Sequence, residues 1–172
     1  QIKGSYLTYK QLSSCAPKIS VNDSSSPSAL YLPCGLAPLS FFNDTYHFTD
    51  LELSAKFTEE GISLVQERKK IYKPISPQYK EGIRWLEDIT PKGTTDEHFI
   101  VWMRTAAMPN FIKVFSICHD CVINEGVYEV QVQLNYPQSM YDGGRSLIIT
   151  TTSALGSRSY FISVTYISIG GL

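Results

Sequence analysis

The chain has 172 residues, of which 43% are hydrophobic, 12% aromatic and 18% charged, and its 15 Lys and Arg against 16 Asp and Glu leave a net charge of −1. That balance provides no basic field to release counterions from a polyanion, which argues against a general nucleic-acid binder. A charged share below the usual quarter, combined with many aromatics, argues against a disordered chain or a coiled coil and fits one packed domain over residues 1–172.

No window reaches the roughly 18 consecutive apolar residues of a membrane span, and the first residues show no basic region leading into an apolar core. With Gln1 in first place and the apolar run Tyr166 to Leu172 in last, the sequence is expected to be a piece of something longer.

The first forty residues read as loop, punctuated by Pro17, Pro27, Pro33 and Pro38. A bridge between Cys15 and Cys34 would restrain the polar stretch Val21 to Ser28, worth about 3 kcal/mol by loop-closure entropy; the alternative is two free thiols. Asn22-Asp23-Ser24 and Asn43-Asp44-Thr45 are glycan acceptor patterns. With an even set of four cysteines, they point to a lumenal or extracellular compartment.

Further on, a strand is expected over Tyr46 to Leu53 and a turn at Glu59-Glu60-Gly61. Glu67-Arg68-Lys69-Lys70 reads as a solvated face rather than a docking patch. Prolines 74, 77 and 91 predict an extended connection from Ile71 to Pro91. The short apolar run within His98 to Met103 predicts a buried strand, and Ala106 to Ile117 a short helix with Pro109 in its first turn.

Cys118-His119-Asp120-Cys121 then follows a predicted helix end, the reverse of the redox arrangement in which the first thiol sits at a helix N-terminus. A small structural disulfide at a helix-to-strand connection is the first reading, free thiols the second and a metal site the third, since His47 and His98 are isolated in sequence.

Val130, Val132, Leu134 and Tyr136 alternate with polar residues, the period of a strand with one wet face. A turn at Asp142-Gly143-Gly144, a strand over Ser146 to Ser153, a break at Gly156 and a last strand over Tyr160 to Ile169 complete the series. The expected fold is mainly β, a β-rich α+β domain built as an antiparallel β-sandwich with short helices and long loops.

The chain has no nucleophile elbow, zinc-protease helix motif, phosphate loop or dinucleotide fingerprint, so no catalytic residue, cofactor or metal is assigned. Asp96-Glu97-His98 is the one acid and imidazole cluster. It reads as a strand lead-in whose neighbouring side chains face opposite ways. Arg104, next to an apolar run, is expected to need a carboxylate and to tie two segments together. Trp85 and Trp102 read as core.

Several strings carry a family likeness. Pro33-Cys34-Gly35-Leu36, Phe42-Asn43-Asp44-Thr45, the run Phe99-Ile100-Val101-Trp102-Met103-Arg104-Thr105-Ala106-Ala107 followed by Pro109, then Asn135-Tyr136-Pro137 and Asp142-Gly143 occur in this order. In that ordered set the chain resembles the cell-division-control protein 50 / ligand-effect modulator family, accessory β-subunits of the type-four P-type ATPases that flip phospholipids. The stretch from Leu147 to Gly170, with Ser153, Gly156, Phe161 and Tyr166, resembles the family's approach to its second membrane helix. Gln1 and Tyr6 sit where the family has a similar stretch near the start of its ectodomain.

The resemblance implies an exoplasmic domain held between two membrane helices that lie outside this chain, in the secretory pathway or at the cell surface. It implies a non-catalytic subunit that escorts a partner ATPase out of the endoplasmic reticulum and supports its transport cycle. It pairs Cys15 with Cys34 and places a glycan on Asn43. Gly35, Phe99, Trp102, Arg104, Pro109, Asn135, Tyr136, Pro137 and Gly156 become structural motif positions. The chain departs from the family pattern at Ile2-Lys3-Gly4-Ser5, Leu64, Val65 and Ala154, and Cys118 and Cys121 have no counterpart in it. The alternative role is a free-standing extracellular ligand-binding or adhesion module, which would lack apolar spans of about 20 residues on both sides. An oxidoreductase using Cys118 and Cys121 is a third.

Overall fold

In the computed structural model, residues 15–23, 26–76, 82–119, 121–137, 139, 143–153, 156–157, 164 and 167–170 are described. The chain divides into two units, Gln1–Tyr136 and Pro137–Leu172.

Among the described residues of the first unit four short helices and four short strands follow in the order α1 Leu36–Leu39, β1 Thr45–Phe48, α2 Leu51–Lys56, β2 Phe57–Thr58, α3 Trp85–Ile89, α4 Glu97–Met103, β3 Ile117–Cys118 and β4 Val130–Gln133. Single 3₁₀ turns lie at Val21–Asp23, Pro27–Ala29 and Gly93–Thr95, and a π turn spans Glu67–Ile71. The second unit holds an antiparallel pair, β5 Thr152–Ser153 with β6 Gly156–Ser157.

Among the described residues the sheets are three separate two-stranded antiparallel pairs, β1 with β4, β2 with β3, and β5 with β6. The expected β-sandwich is therefore corrected to a mixed α+β fold with small sheets. The ladder of β1 and β4 places Thr45 opposite Gln133 and Phe48 opposite Val130. The expected alternation covers only part of its length, because Val132 and Leu134 remain 45% and 63% exposed and bury no sheet face.

Capping chemistry explains two of the helices. The Asp50 carboxylate accepts from the backbone N–H groups of Glu52 and Leu53, opening α2 where a strand was expected to continue to Leu53. The Asp96 carboxylate does the same for His98 and Phe99 at 2.9 and 3.2 Å. It starts α4 across the stretch expected to be a buried strand. Phe99, Ile100 and Val101 are buried as that reading required, on a helix instead.

Other corrections follow the same chain order. Residues 111–116 adopt no helix and lead directly into β3, and α3 interrupts the connection expected to stay extended to Pro91. Residues 143–151 carry no regular structure before β5, and 167–170 are helical rather than strand. Asp142 and residues 158–163, parts of an expected turn and strand, lie outside the described residues.

The core of the first unit is Phe41, Leu86 and Phe99, flanked by Tyr72, Trp85, Trp102 and Met103. Phe41 and Phe99 meet edge to face at 5.6 Å. Beside this core, Ile83 bridges Leu30 and Leu32 through the backbone, since Ile83 N–H donates to Leu30 O at 2.8 Å and Leu32 N–H to Ile83 O at 2.9 Å. The Trp85 indole donates to Pro33 O at 2.8 Å and anchors α3 to the proline-rich segment. The loop-rich first forty residues thus contribute Ile19, Leu30 and Leu32 to the buried interior.

Candidate functional site

Two ion pairs fix both ends of α4, within the string that carries the family likeness. At its first turn Glu97 accepts from Gly61 N–H at 3.0 Å, from Ser63 N–H and Oγ at 2.9 and 2.8 Å, and from the Arg68 guanidinium at 2.5 Å. Burial pushes its carboxyl up, yet the donors from Gly61, Ser63 and Arg68 outweigh that and hold it at about 2.

At the other end Arg104 forks onto Glu67, with Nε 3.0 Å from one oxygen and Nη2 2.6 Å from the other. The hydrogen bond to Arg104 lowers the Glu67 carboxyl, and the same bond raises Arg104. Arg104 thus finds a carboxylate, and the two segments it ties are α4 and the π turn. The cluster Glu67 to Lys70 is corrected accordingly: Glu67 and Arg68 turn inward to these pairs, while Lys69 and Lys70 remain exposed.

Lys113 completes the junction by donating to the carbonyls of Trp102, at 3.3 Å, and Arg104, which are otherwise orphaned at a helix end. Burial first and then Arg104 lower its ammonium. The irregular segment that returns from α4 toward β3 leaves an open groove of about 410 Å³ lined by Val101, Arg104 and residues 105–108 and 110–114.

Trp102 carries α4 into an aromatic group. It stacks on Phe42 at 5.9 Å, meets Phe111 at 6.0 Å, and donates from its indole to Ala37 O at 3.3 Å. Phe42 also lies 5.2 Å from Tyr136. Here the likeness strings meet. The buried Asp44 accepts from the backbone N–H groups of Asn135 and Tyr136, both at 2.7 Å, and Asn135 Nδ2 donates to Asn43 O at 3.1 Å. Phe42-Asn43-Asp44 and Asn135-Tyr136 therefore form one joint across 91 residues of sequence.

The structure pairs Cys15 with Cys34, Cα atoms 5.5 Å apart, and Cys118 with Cys121 at 5.8 Å. Gly35, at φ +104, directly follows the first bridge and opens α1, a conformation that favours glycine. The second bridge follows β3 rather than a helix end. Asn22 is exposed, at φ +51, whereas Asn43 is half-buried. Pro109 lies in exposed loop, Pro137 is exposed, and Gly156 starts β6.

Residues to which the sequence reading gave no such role hold most of this arrangement: Asp44, Glu67, Asp96, Glu97 and Lys113. Asp96 alone left a readable signal, an N-cap residue followed by an acidic first turn. Asp96-Glu97-His98 is corrected from strand lead-in to helix start, and His98 Nε2 lies 3.2 Å from Glu59. Among the described residues no group of His, Cys, Asp and Glu is arranged to hold a metal ion, and no helix is long and apolar enough to cross a membrane.

A cross-tied α+β scaffold that gathers widely separated strings is the class of protein this geometry defines. The whole chain, residues 1–172, matches the LEM3 (ligand-effect modulator 3) family / CDC50 family and belongs to it. It is 32% identical over 165 residues to the putative ALA-interacting subunit 4 of Arabidopsis thaliana, covering 92% of this chain and 47% of that protein. It is 29% identical over 191 residues to the phospholipid-transporting ATPase accessory subunit CRF1 of Saccharomyces cerevisiae, covering 100% and 46%. Against the cell cycle control protein 50A of Bos taurus the identity is 27% over 166 residues, covering 81% and 46%. The chain spans about half the length of the curated relatives it matches.

Proposed function

We propose that this chain is the exoplasmic domain of a non-catalytic β-subunit of a type-four P-type ATPase, the partner ATPase performing the chemistry of phospholipid translocation. The observation that carries this reading is the family match over residues 1–172, joined to relatives named as accessory subunits of phospholipid-transporting ATPases. The joints at Arg104–Glu67, Asp44–Asn135 and Cys15–Cys34 support it, because a surface that grips a partner's loops depends on a rigid frame. The subunit would act as an escort from the endoplasmic reticulum and a support during the transport cycle.

The compartment belongs to the same proposal. Two disulfides and two acceptor asparagines, Asn22 and Asn43, suit the lumen of the secretory pathway or the cell surface. Peptide mapping of the membrane-extracted protein is expected to find glycans on these asparagines.

A mild-detergent pull-down of the tagged full-length protein from its native membranes tests the role. Stoichiometric recovery of a P-type ATPase is expected. Recovery of the protein alone, or with only soluble glycoconjugates, would replace this reading with that of a free-standing binding module.

A further inference from the structure

The π turn Glu67–Ile71 sorts its charges. Its two inward side chains, Glu67 and Arg68, are consumed by the ion pairs to Arg104 and Glu97, and the turn is closed by Tyr72 N–H donating to Glu67 O at 2.9 Å. Lys69, Lys70 and Lys73 are exposed, and none of them pairs with a carboxylate among the described residues. Three aliphatic side chains share the segment, Leu64, Val65 and Ile71, exposed by 62%, 52% and 68%. Val65 and Lys69 stand four residues apart along it, and Ile71 lies between Lys70 and Lys73, so apolar and cationic groups neighbour one another along the segment. Among the described residues Lys56 is offset by Glu52 and Lys92 by Glu60, while Lys18 is exposed and unpaired but stands alone in sequence.

We propose that this segment, residues 64–73, is a docking surface for an anionic lipid surface. Its charge selects phosphate headgroups and its aliphatics enter the boundary between headgroup and acyl chain. The surplus of three ammoniums is complementary to an anionic bilayer, and a lysine is a point charge that engages a fluid array of phosphates without a fixed geometry. An acidic protein groove is better matched by the planar forks of arginine, and the arginines here, Arg68 and Arg104, are both turned inward. Interleaved exposed aliphatics add what a purely electrostatic contact lacks, since basic and apolar residues on one short element are the pattern of interfacial binding. The inference concerns the chain's own surface and stands independently of which protein, if any, is recovered as a partner.

The test is co-sedimentation of the 172-residue chain, oxidised and checked for native near-ultraviolet circular dichroism, with phosphatidylcholine vesicles containing or lacking phosphatidylserine. Binding is expected only to the phosphatidylserine vesicles, weakening as salt rises. The triple variant Lys69→Gln, Lys70→Gln, Lys73→Gln is expected to reduce partitioning roughly 100-fold, from about 5-fold per lysine near an anionic surface. Ile71→Ser with Val65→Ser is expected to weaken binding while leaving its salt dependence intact. No binding to either vesicle, equal binding to both, or full binding by the folded triple variant would each overturn the proposal. So would lysine-dependent binding to polyglutamate without binding to vesicles, which would assign the surface to an acidic polypeptide instead.

Discussion

Glu97 gathers donors from Gly61, Ser63 and Arg68 around one carboxylate. Held at about 2 against an ordinary 4.5, it favours the folded state at neutral pH. The sign follows from linkage: a depressed carboxyl contributes fully above its unfolded value and loses that contribution as pH falls through its folded one. Chemical denaturation at a series of pH values is expected to show stability declining from about pH 4.5 toward 2. Glu97→Gln should cost on the order of 2 kcal/mol at pH 7 and flatten that decline. A parallel decline in the variant would assign the acid sensitivity to other carboxylates.

Arg104 is a sharper test of geometry than of charge. Lysine at this position keeps the charge and loses the fork onto Glu67. Because Arg104 is 34% exposed, solvent screening limits the loss in Arg104→Lys to about 1 kcal/mol. A double-mutant cycle with Glu67→Gln should return a coupling of similar size.

At the scale of elements, α4 shows how a cap decides between periods. Asp96→Ala removes the acceptor for His98 and Phe99 N–H, and it also strands Thr90 Oγ1, which donates to the other carboxylate oxygen at 2.7 Å. A loss of about 1 kcal/mol is expected in thermal or denaturant melts, and Asp96→Asn should recover most of it.

The same helix shows what the sequence made legible. Burial of Phe99, Ile100 and Val101 followed from their apolar character, but a five-residue apolar run is too short to distinguish helix from strand by periodicity. The arbiter was Asp96 with Glu97 behind it. Residues 111–117 failed in the opposite direction: their spacing suited a helix, yet Lys113 ties this segment to the end of α4 and Phe115 packs between Tyr46 and His98, at 5.0 and 4.8 Å. Those tertiary contacts outweigh local propensity. The sandwich failed because each ladder is two to four residues long, which strand-like composition does not reveal. Of the site, the motif residues Trp102, Arg104, Asn135 and Tyr136 were legible as strings. Their partners Glu67, Ala37 and Asp44 were not, because contacts over 37, 65 and 91 residues leave no local pattern.

For the whole molecule, the two disulfides carry unequal weight. Cys15 and Cys34 are 19 apart in sequence and Cys118 and Cys121 only 3. Loop-closure entropy then gives about 3 kcal/mol for the first bridge and about 2 kcal/mol for the second. Cys15→Ser with Cys34→Ser is expected to lower stability more than Cys118→Ser with Cys121→Ser, as measured by denaturant midpoints of the two double variants. An equal or reversed order would locate the benefit in folded-state contacts around the second bridge.

The clasp of Asp44 on Asn135 and Tyr136 is also a clock. Its two halves are 91 residues apart, so at a synthesis rate of about 5–20 residues per second the second half emerges roughly 5–18 s after the first. During that interval Asn43 has no joint to close it off, while the loop around Asn22 needs only its near neighbours, Ser20 and Leu30, to form. Faster elongation is therefore expected to lower glycan occupancy at Asn43 more than at Asn22, as read by glycopeptide mass spectrometry; equal losses would uncouple occupancy from closure. On the proposed lumenal placement, the half-buried asparagine would be open to modification by virtue of when its partner arrives.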